Sequence, residues 1–188
     1  TPMASKTHLE RLSDAASSDV RHTLVVGHGS EQCEVSYRRI IGMLLYVRNT
    51  RPDIAYAVHK LSQHCNAPSL QAWKALKRVV RYLRGTESHG LRYDKPPTPT
   101  LSLGAYCDSD YAGDLQTRRS TTGYVVLLGG APVSWSSKAQ TVVAQSSCEA
   151  EYIAMCAAGK SIMSWRHLLS ELGFQLPSSL LKADNAGA

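Results

Sequence analysis

Two acids, Glu149 and Glu151, stand close together in the long helical pattern that starts after Ser146, and helical periodicity separates them. On a wheel of about 100° per residue, Ala154, Ala158, Ile162, Trp165, Leu169 and Leu172 fall within about 60° of Glu151. Glu151 is thus placed on the packing face. Glu149 lies about 160° away beside Lys160, His167 and Glu171, three residues after Ser146, which is the spacing of a capping box on a solvated face. A carboxylate among Ala, Ile, Trp and Leu needs a partner, because an isolated buried charge is costly. That partner is either a structural cation such as Lys or Arg, or a metal at a functional site.

Two further acids close apolar stretches, Asp108 after Leu101–Cys107 and Asp184 after Leu180–Ala183. On neighbouring strands they would meet at one sheet edge, and with Glu151 approaching from a helix they offer the clustered oxygens that hard divalent cations require. Such a trio suits one or two Mg²⁺ ions and in-line phosphodiester displacement. By spacing alone, an Asp at a strand end is more often a turn former. Asp110 has the strand parity of Asp108 and is the second choice beside the metal position.

The elements that must position these acids follow from the periodicity. Residues 1–34, rich in Ser, Thr, His and Gly, read as a leader or linker; residues 35–95 read as a helical segment, and residues 100–188 as a second domain. Helices are expected around Ile40–Val47, after Thr50-Arg51-Pro52, and from Ser69 to Arg84, with Gly85 as the stop. Past Lys95-Pro96-Pro97-Thr98-Pro99 the period becomes two: a strand to Asp108, a hairpin of Thr122–Leu128 and Pro132–Ser136 about Gly129-Gly130, the helix Ser146–Leu172, and a short strand before Asp184. The expected class is mixed α/β.

Charge divides unevenly. Residues 1–100 carry 15 Lys and Arg against 8 Asp and Glu, whereas residues 101–188 carry 6 against 7. Lys74, Lys77, Arg78 and Arg81 share one helix face, with Arg84 at its edge and Arg38 and Arg39 nearby. That face would neutralise phosphates, or would simply be a solvated amphipathic surface. Arg118 and Arg119, between the first two strands of the second domain, allow the same two readings. Tyr106, Tyr111, Tyr124 and Trp135 suit sheet packing better than base stacking.

Other chemistries drop out. His59 and His64 are five apart and not four, His89 and His167 lack an evident partner, and the sequence holds no H-E-x-x-H, P-loop or G-x-S-x-G string. Five cysteines without C-x-x-C argue against a disulfide framework or zinc ribbon and for reduced thiols in an intracellular protein; no apolar run suggests a membrane.

Several strings in order then carry a resemblance over nearly the whole chain. Thr1-Pro2-Met3, S-Y-R-R-I-I-G-M-L-L-Y-V-R-N-T-R-P-D-I-A-Y-A-V (36–58) and A-W-K-A-L-K-R-V-V-R-Y-L-R-G-T (72–86) resemble the segment after the polymerase core in copia-type LTR retrotransposon Pol polyproteins. C-D-S-D-Y-A-G-D (107–114), R-R-S-T-T-G-Y (118–124), S-W-S-S-K-A-Q (134–140), S-S-C-E-A-E-Y-I-A (146–154) and A-D-N (183–185) are similar to their RNase H domain. The resemblance implies an RNase H-like fold, incomplete at its C-terminus, behind a helical connection segment. It also implies hydrolysis of the RNA strand of RNA–DNA hybrids with two Mg²⁺ ions, or Mn²⁺ in their place. Asp108, Glu151 and Asp184 match the family's acids at the first strand end, on the helix and at the fourth strand end.

Further expectations follow from the resemblance. The partners are a hybrid and the remainder of the Pol polyprotein, in a cytoplasmic virus-like particle or the nucleus. A fourth metal-binding acid lies beyond Asp184 in complete members, so hydrolysis is expected to be weak in this chain, and a remnant that binds nucleic acid or serves only as an interaction module is the alternative.

Overall fold

A computed structural model describes residues 1–3, 9, 23–26, 33–95 and 101–184, in two compact units, 1–90 and 91–188. Most of the expected leader lies outside the described residues. Within it, however, β1 (Thr23–Val26) pairs antiparallel with β2 (Cys33–Ser36), from Thr23 opposite Ser36 to Val26 opposite Cys33. Strands of 4 residues are too short to establish an alternating pattern, so the sequence reading contains no strand there.

β2 runs directly into α1 (Tyr37–Val47), whose N-terminus is capped by Ser36 Oγ accepting from Arg39 N at 3.3 Å. A 3₁₀ turn at Pro52–Ile54 leads into α2 (Ala55–Ser62), and α3 (Leu70–Gly85) starts under a Ser69 cap that accepts from Ala72 N at 3.1 Å. The helical spacing of the apolar residues turns Tyr37, Ile41, Leu44, Val58, Leu61, Trp73, Leu76 and Val79 into one buried cluster. Tyr37 meets Trp73 edge-on with ring centroids 5.2 Å apart and donates its hydroxyl to Leu61 O at 2.9 Å.

The end of α3 differs from the expectation. Gly85 is the last helical residue and not a left-handed stop; Thr86 caps the helix instead. Arg51, only 8% exposed, holds that end: it donates to Thr86 O at 3.0 Å and Thr86 Oγ1 at 2.7 Å while forking onto both oxygens of Asp53 at 3.0 and 2.7 Å. A cation at the carbonyl end of a helix is favourable in itself. Tyr82 adds a hydroxyl to Asp53 Oδ2 at 2.8 Å. The Arg51 fork therefore holds the Asp53 carboxyl below its ordinary range, against the opposing effect of burial, and the bond to Asp53 raises the Tyr82 phenol.

The second unit is a sheet with a helix across it. β3 (Leu103–Asp110), β4 (Thr121–Leu128), β5 (Ala131–Ala139) and β6 (Leu180–Lys182) are ordered β5-β4-β3-β6. The β3/β4 and β4/β5 pairs are antiparallel; β6 runs parallel to β3, with Gly104 opposite Leu180 and Tyr106 opposite Lys182. Gly129 and Gly130, at φ 59° and 88°, make the two-residue turn between β4 and β5, where left-handed geometry matches the twist of the paired strands. A Cβ at Gly104 would lie 3.1 Å from Leu180 O, so glycine lets β6 approach.

Strand alternation sends Leu103, Ala105 and Cys107 to one face, where they pack with Val126 against Ala154, Ala158 and Ile162 of α4 (Ser147–Glu171). α4 ends at a Schellman turn: Gly173, at φ 85°, donates to Ser170 O and Phe174 N to Leu169 O. Leu172, assigned by the wheel to the packing face, is 63% exposed because it stands at this exit. The chain is thus mixed α/β: the described residues hold 4 α-helices, and the second unit holds a mixed sheet of 4 strands.

The Arg51 junction generates the first prediction. Replacing Arg51 with Ala should lower the stability of residues 1–90 by about 2 kcal/mol, since it strands a part-buried carboxylate and uncaps α3. The lowered Asp53 pKa gives the sign of the pH dependence. The stability advantage of the native chain over Asp53→Asn should be complete above the unfolded carboxyl range, about pH 4, and vanish as pH falls through the lower folded value. Denaturant titrations of both proteins from pH 7 to 2.5 measure this; a difference that stays constant across the range would contradict it.

Candidate functional site

Parallel pairing of β3 with β6 sets two acids side by side. The pairing ends with Tyr106 opposite Lys182, and Asp108 and Asp184 each follow two residues later along the sequence. Glu151 arrives from the second turn of α4, which is fixed at its start by Ser146 Oγ accepting from Glu149 N at 3.1 Å. Glu149 completes the cap, its Oε2 accepting from Gln145 N at 2.7 Å, one residue earlier than the usual reciprocal bond. Glu149 therefore belongs to the helix start, as its spacing suggests, and Glu151 to the packed face.

Gln140 ties that helix start to the sheet. It is 5% exposed, and its Nε2 donates to Thr122 Oγ1 at 3.1 Å and to Ala150 O at 3.0 Å, one residue before Glu151. No helical or alternating pattern marks Gln140 as a clamp, because it stands just past the end of β5.

The three acids converge: one carboxylate oxygen each from Asp108, Glu151 and Asp184 lie within 4.8 Å of one another. Asp108 and Asp184 are exposed, whereas Glu151 is 4% exposed. Ser109 N–H is shared between Asp108 Oδ1 at 2.7 Å and Glu151 Oε1 at 3.2 Å, and Ser109 Oγ donates to Glu151 Oε1 at 2.8 Å. Glu151 Oε2 is buried without any hydrogen-bond partner. An ionised carboxylate with one oxygen saturated and the other orphaned in the interior is costly unless a cation completes it. Oxygen-only, anionic donors at this separation are the chemistry that Mg²⁺ or Mn²⁺ requires, so the residues fit such an ion.

The neighbouring thiol feels the same field. Cys107 is buried beneath the acids, and its pKa is raised first by burial and then by the charges of Glu151, Asp108 and Asp184. Ser109 has the parity of Leu103, Ala105 and Cys107, the residues that face α4, so alternation along β3 was the signal that could have singled it out.

The remaining candidates lie elsewhere. Asp110 is exposed and outside the trio; its carboxylate sits over Gly113, where a Cβ would collide with it. Arg118, at φ 56°, and Arg119 are exposed on the β3–β4 loop, which Asp114 organises by accepting from Gln116 N and Thr117 N at 3.0 and 3.1 Å. Lys74, Lys77, Arg78 and Arg81 are exposed along α3 in the first unit, and Arg78 also donates to Thr1 O at 3.3 Å. Tyr106 and Tyr111 are exposed and Tyr124 packs at the edge of the α4 core, while His167 pairs with Glu171 at 3.2 Å on the surface. No helix among the described residues is long and apolar enough to cross a membrane.

Comparison with known proteins bears on the origin of the sequence. No protein-family model and no solved structure matches the chain. Over 153 residues, 81% of the chain, it is 48% identical to the retrovirus-related Pol polyprotein from transposon RE2 of Arabidopsis thaliana. Over 156 residues, 82% of the chain, it is 39% identical to the corresponding polyprotein from transposon TNT 1-94 of Nicotiana tabacum. The chain spans 10% and 12% of the lengths of these two relatives. It also matches 87% of the secreted RxLR effector protein 161 of Plasmopara viticola, at 46% identity over 125 residues, 66% of the chain. By sequence the chain is similar to one segment of the retrovirus-related Pol polyproteins from transposons.

Proposed function

We propose that the chain is the RNase H region of a copia-type retrotransposon reverse transcriptase, preceded by its connection segment, and that it hydrolyses the RNA strand of RNA–DNA hybrids. Two observations carry this reading: one carboxylate oxygen each from Asp108, Glu151 and Asp184 lie within 4.8 Å of one another, and Glu151 also holds a buried oxygen with no hydrogen-bond partner. Three carboxylates alone would repel a phosphodiester. With Mg²⁺ bound, the site gains a Lewis acid that can lower the pKa of an attacking water and offset charge on the leaving 3′ oxygen.

The chain's own residues divide the remaining tasks. Glu151 supplies a rigid oxygen, because Ser109 holds one side of its carboxylate and Gln140 holds the adjoining turn of α4. Asp108 and Asp184 present exposed oxygens on the solvent side, where a nucleic-acid backbone can approach. Arg118 and Arg119 offer charge to the backbone from a loop on the same unit, and the exposed basic face of α3 offers it from the first unit. Neither carries base specificity, which suits a substrate recognised by backbone shape.

A second reading has its own observation. A segment similar to this one accounts for 87% of a protein named as a secreted effector, so such a module also occurs outside a Pol polyprotein. In that reading the chain is a remnant that binds nucleic acid without cleaving it, or a structural module that does neither.

A labelled RNA–DNA hybrid separates these readings. Mg²⁺-dependent cleavage confined to the RNA strand, and lost in Glu151→Gln, is the expected result. Binding without cleavage would favour the remnant, and neither would favour the structural module.

Two further outcomes are expected. Asp108→Asn should raise the stability of the second unit in chelator by up to about 1 kcal/mol, by relieving repulsion at its solvent-exposed edge, and should suppress the rise in melting temperature that Mg²⁺ gives the native chain. Thermal scans with and without Mg²⁺ read both effects. Reversing Lys74, Lys77, Arg78 and Arg81 to Glu should weaken hybrid binding about tenfold or more near 0.1 M salt and flatten its salt dependence, without loss of helicity, because the apolar face of α3 is untouched. Fluorescence anisotropy across a salt series measures this, and an unchanged slope would count against the basic face.

A further inference from the structure

We infer that Ser109 is a positioning residue of the acidic site, dictating through two donors which oxygen of Glu151 is left for a divalent cation. The inference rests on the proposed cation-binding reading and extends it to a residue that never touches the ion.

Strand parity sets the direction of the Ser109 side chain. Ser109 follows Asp108, so its side chain leaves β3 on the face that α4 covers, while Asp108 stands at the exposed edge. Its hydroxyl meets Glu151 Oε1 at 2.8 Å, and its N–H is divided between that oxygen at 3.2 Å and Asp108 Oδ1 at 2.7 Å. One residue therefore fixes two of the three acids. Because Ser109 saturates Oε1, the orphaned atom is Oε2, and the carboxylate cannot rotate without losing the hydroxyl bond.

The hydroxyl and the N–H have separable consequences. Alanine at position 109 keeps the N–H that spans Asp108 and Glu151 but deletes the hydroxyl, so Glu151 is freed to turn about its last side-chain bond. A buried carboxylate with several orientations binds an ion less tightly than one held in a single orientation, and residues that orient metal ligands are typically worth about tenfold or more in affinity. Threonine retains the hydroxyl and suits a strand.

The experiment is calorimetric titration of Mn²⁺ into the native chain, Ser109→Ala, Ser109→Thr and Ser134→Ala, with thermal unfolding measured on each. Ser134→Ala is the control because it removes a different hydroxyl contact between sheet and α4, the Ser161–Ser134 pair at 3.2 Å. The expected result is Mn²⁺ affinity about tenfold weaker in Ser109→Ala and within about twofold of native in Ser109→Thr and Ser134→Ala, whatever the changes in melting temperature. Native affinity in Ser109→Ala, or an equal loss in Ser134→Ala, would overturn the positioning role while leaving the cation site intact. Failure of the native chain itself to bind Mn²⁺ would overturn both the role and the reading beneath it.

Discussion

A buried glutamate on the packed face of a helix is the constraint around which the second unit is arranged. Glu151 shares that face with Ala154 and Ala158, both fully buried, and these small side chains pack α4 against β3. Close approach brings the carboxylate within reach of Ser109, which no longer side chain from a distant helix would do with the same rigidity. The cost of burying the charge is offset on one oxygen by Ser109 and left open on the other. Asp184 joins Asp108 at this site, and the field of the acids adds to burial in raising the Cys107 thiol pKa. An arrangement so unfavourable in isolation makes sense when a cation belongs to it.

The first unit handles its buried charge in the opposite way. Arg51 is nearly as buried as Glu151, but its polar contacts are complementary: a bidentate carboxylate, a carbonyl and a hydroxyl at the end of α3. Nothing there asks for a ligand, and the junction serves stability. The contrast between a satisfied buried cation and an unsatisfied buried anion is what distinguishes structural from functional electrostatics in this chain.

Much of the site was legible because periodicity separates faces. The helical wheel placed Glu151 on the packing side and Glu149 at the cap, and alternation ended a strand near Asp108. What the pattern could not supply was pairing: only the parallel register of β6 with β3 makes Asp108 and Asp184 neighbours, and a 3-residue strand carries too little sequence to announce its partner. Asp110 illustrates the same limit, since parity is shared with Asp108 while the turn at Gly113 takes its carboxylate elsewhere. At Gly85 local chemistry misled, because glycine suggests a left-handed stop, whereas Arg51, 35 residues away from Thr86, closes the helix by a long-range contact. Ser109 escaped notice because a serine between two aspartates looks like turn chemistry until the helix opposite is known.

The central claim is that the three acids form one cation site, and anomalous scattering from crystals soaked in Mn²⁺ tests it most directly. The account predicts a peak bounded by Asp108, Glu151 and Asp184, with carboxylate oxygens at about 2.1 Å and Glu151 contributing Oε2. A map with no peak there, or with Mn²⁺ bound elsewhere while Glu151 Oε2 takes a protein donor, would contradict it.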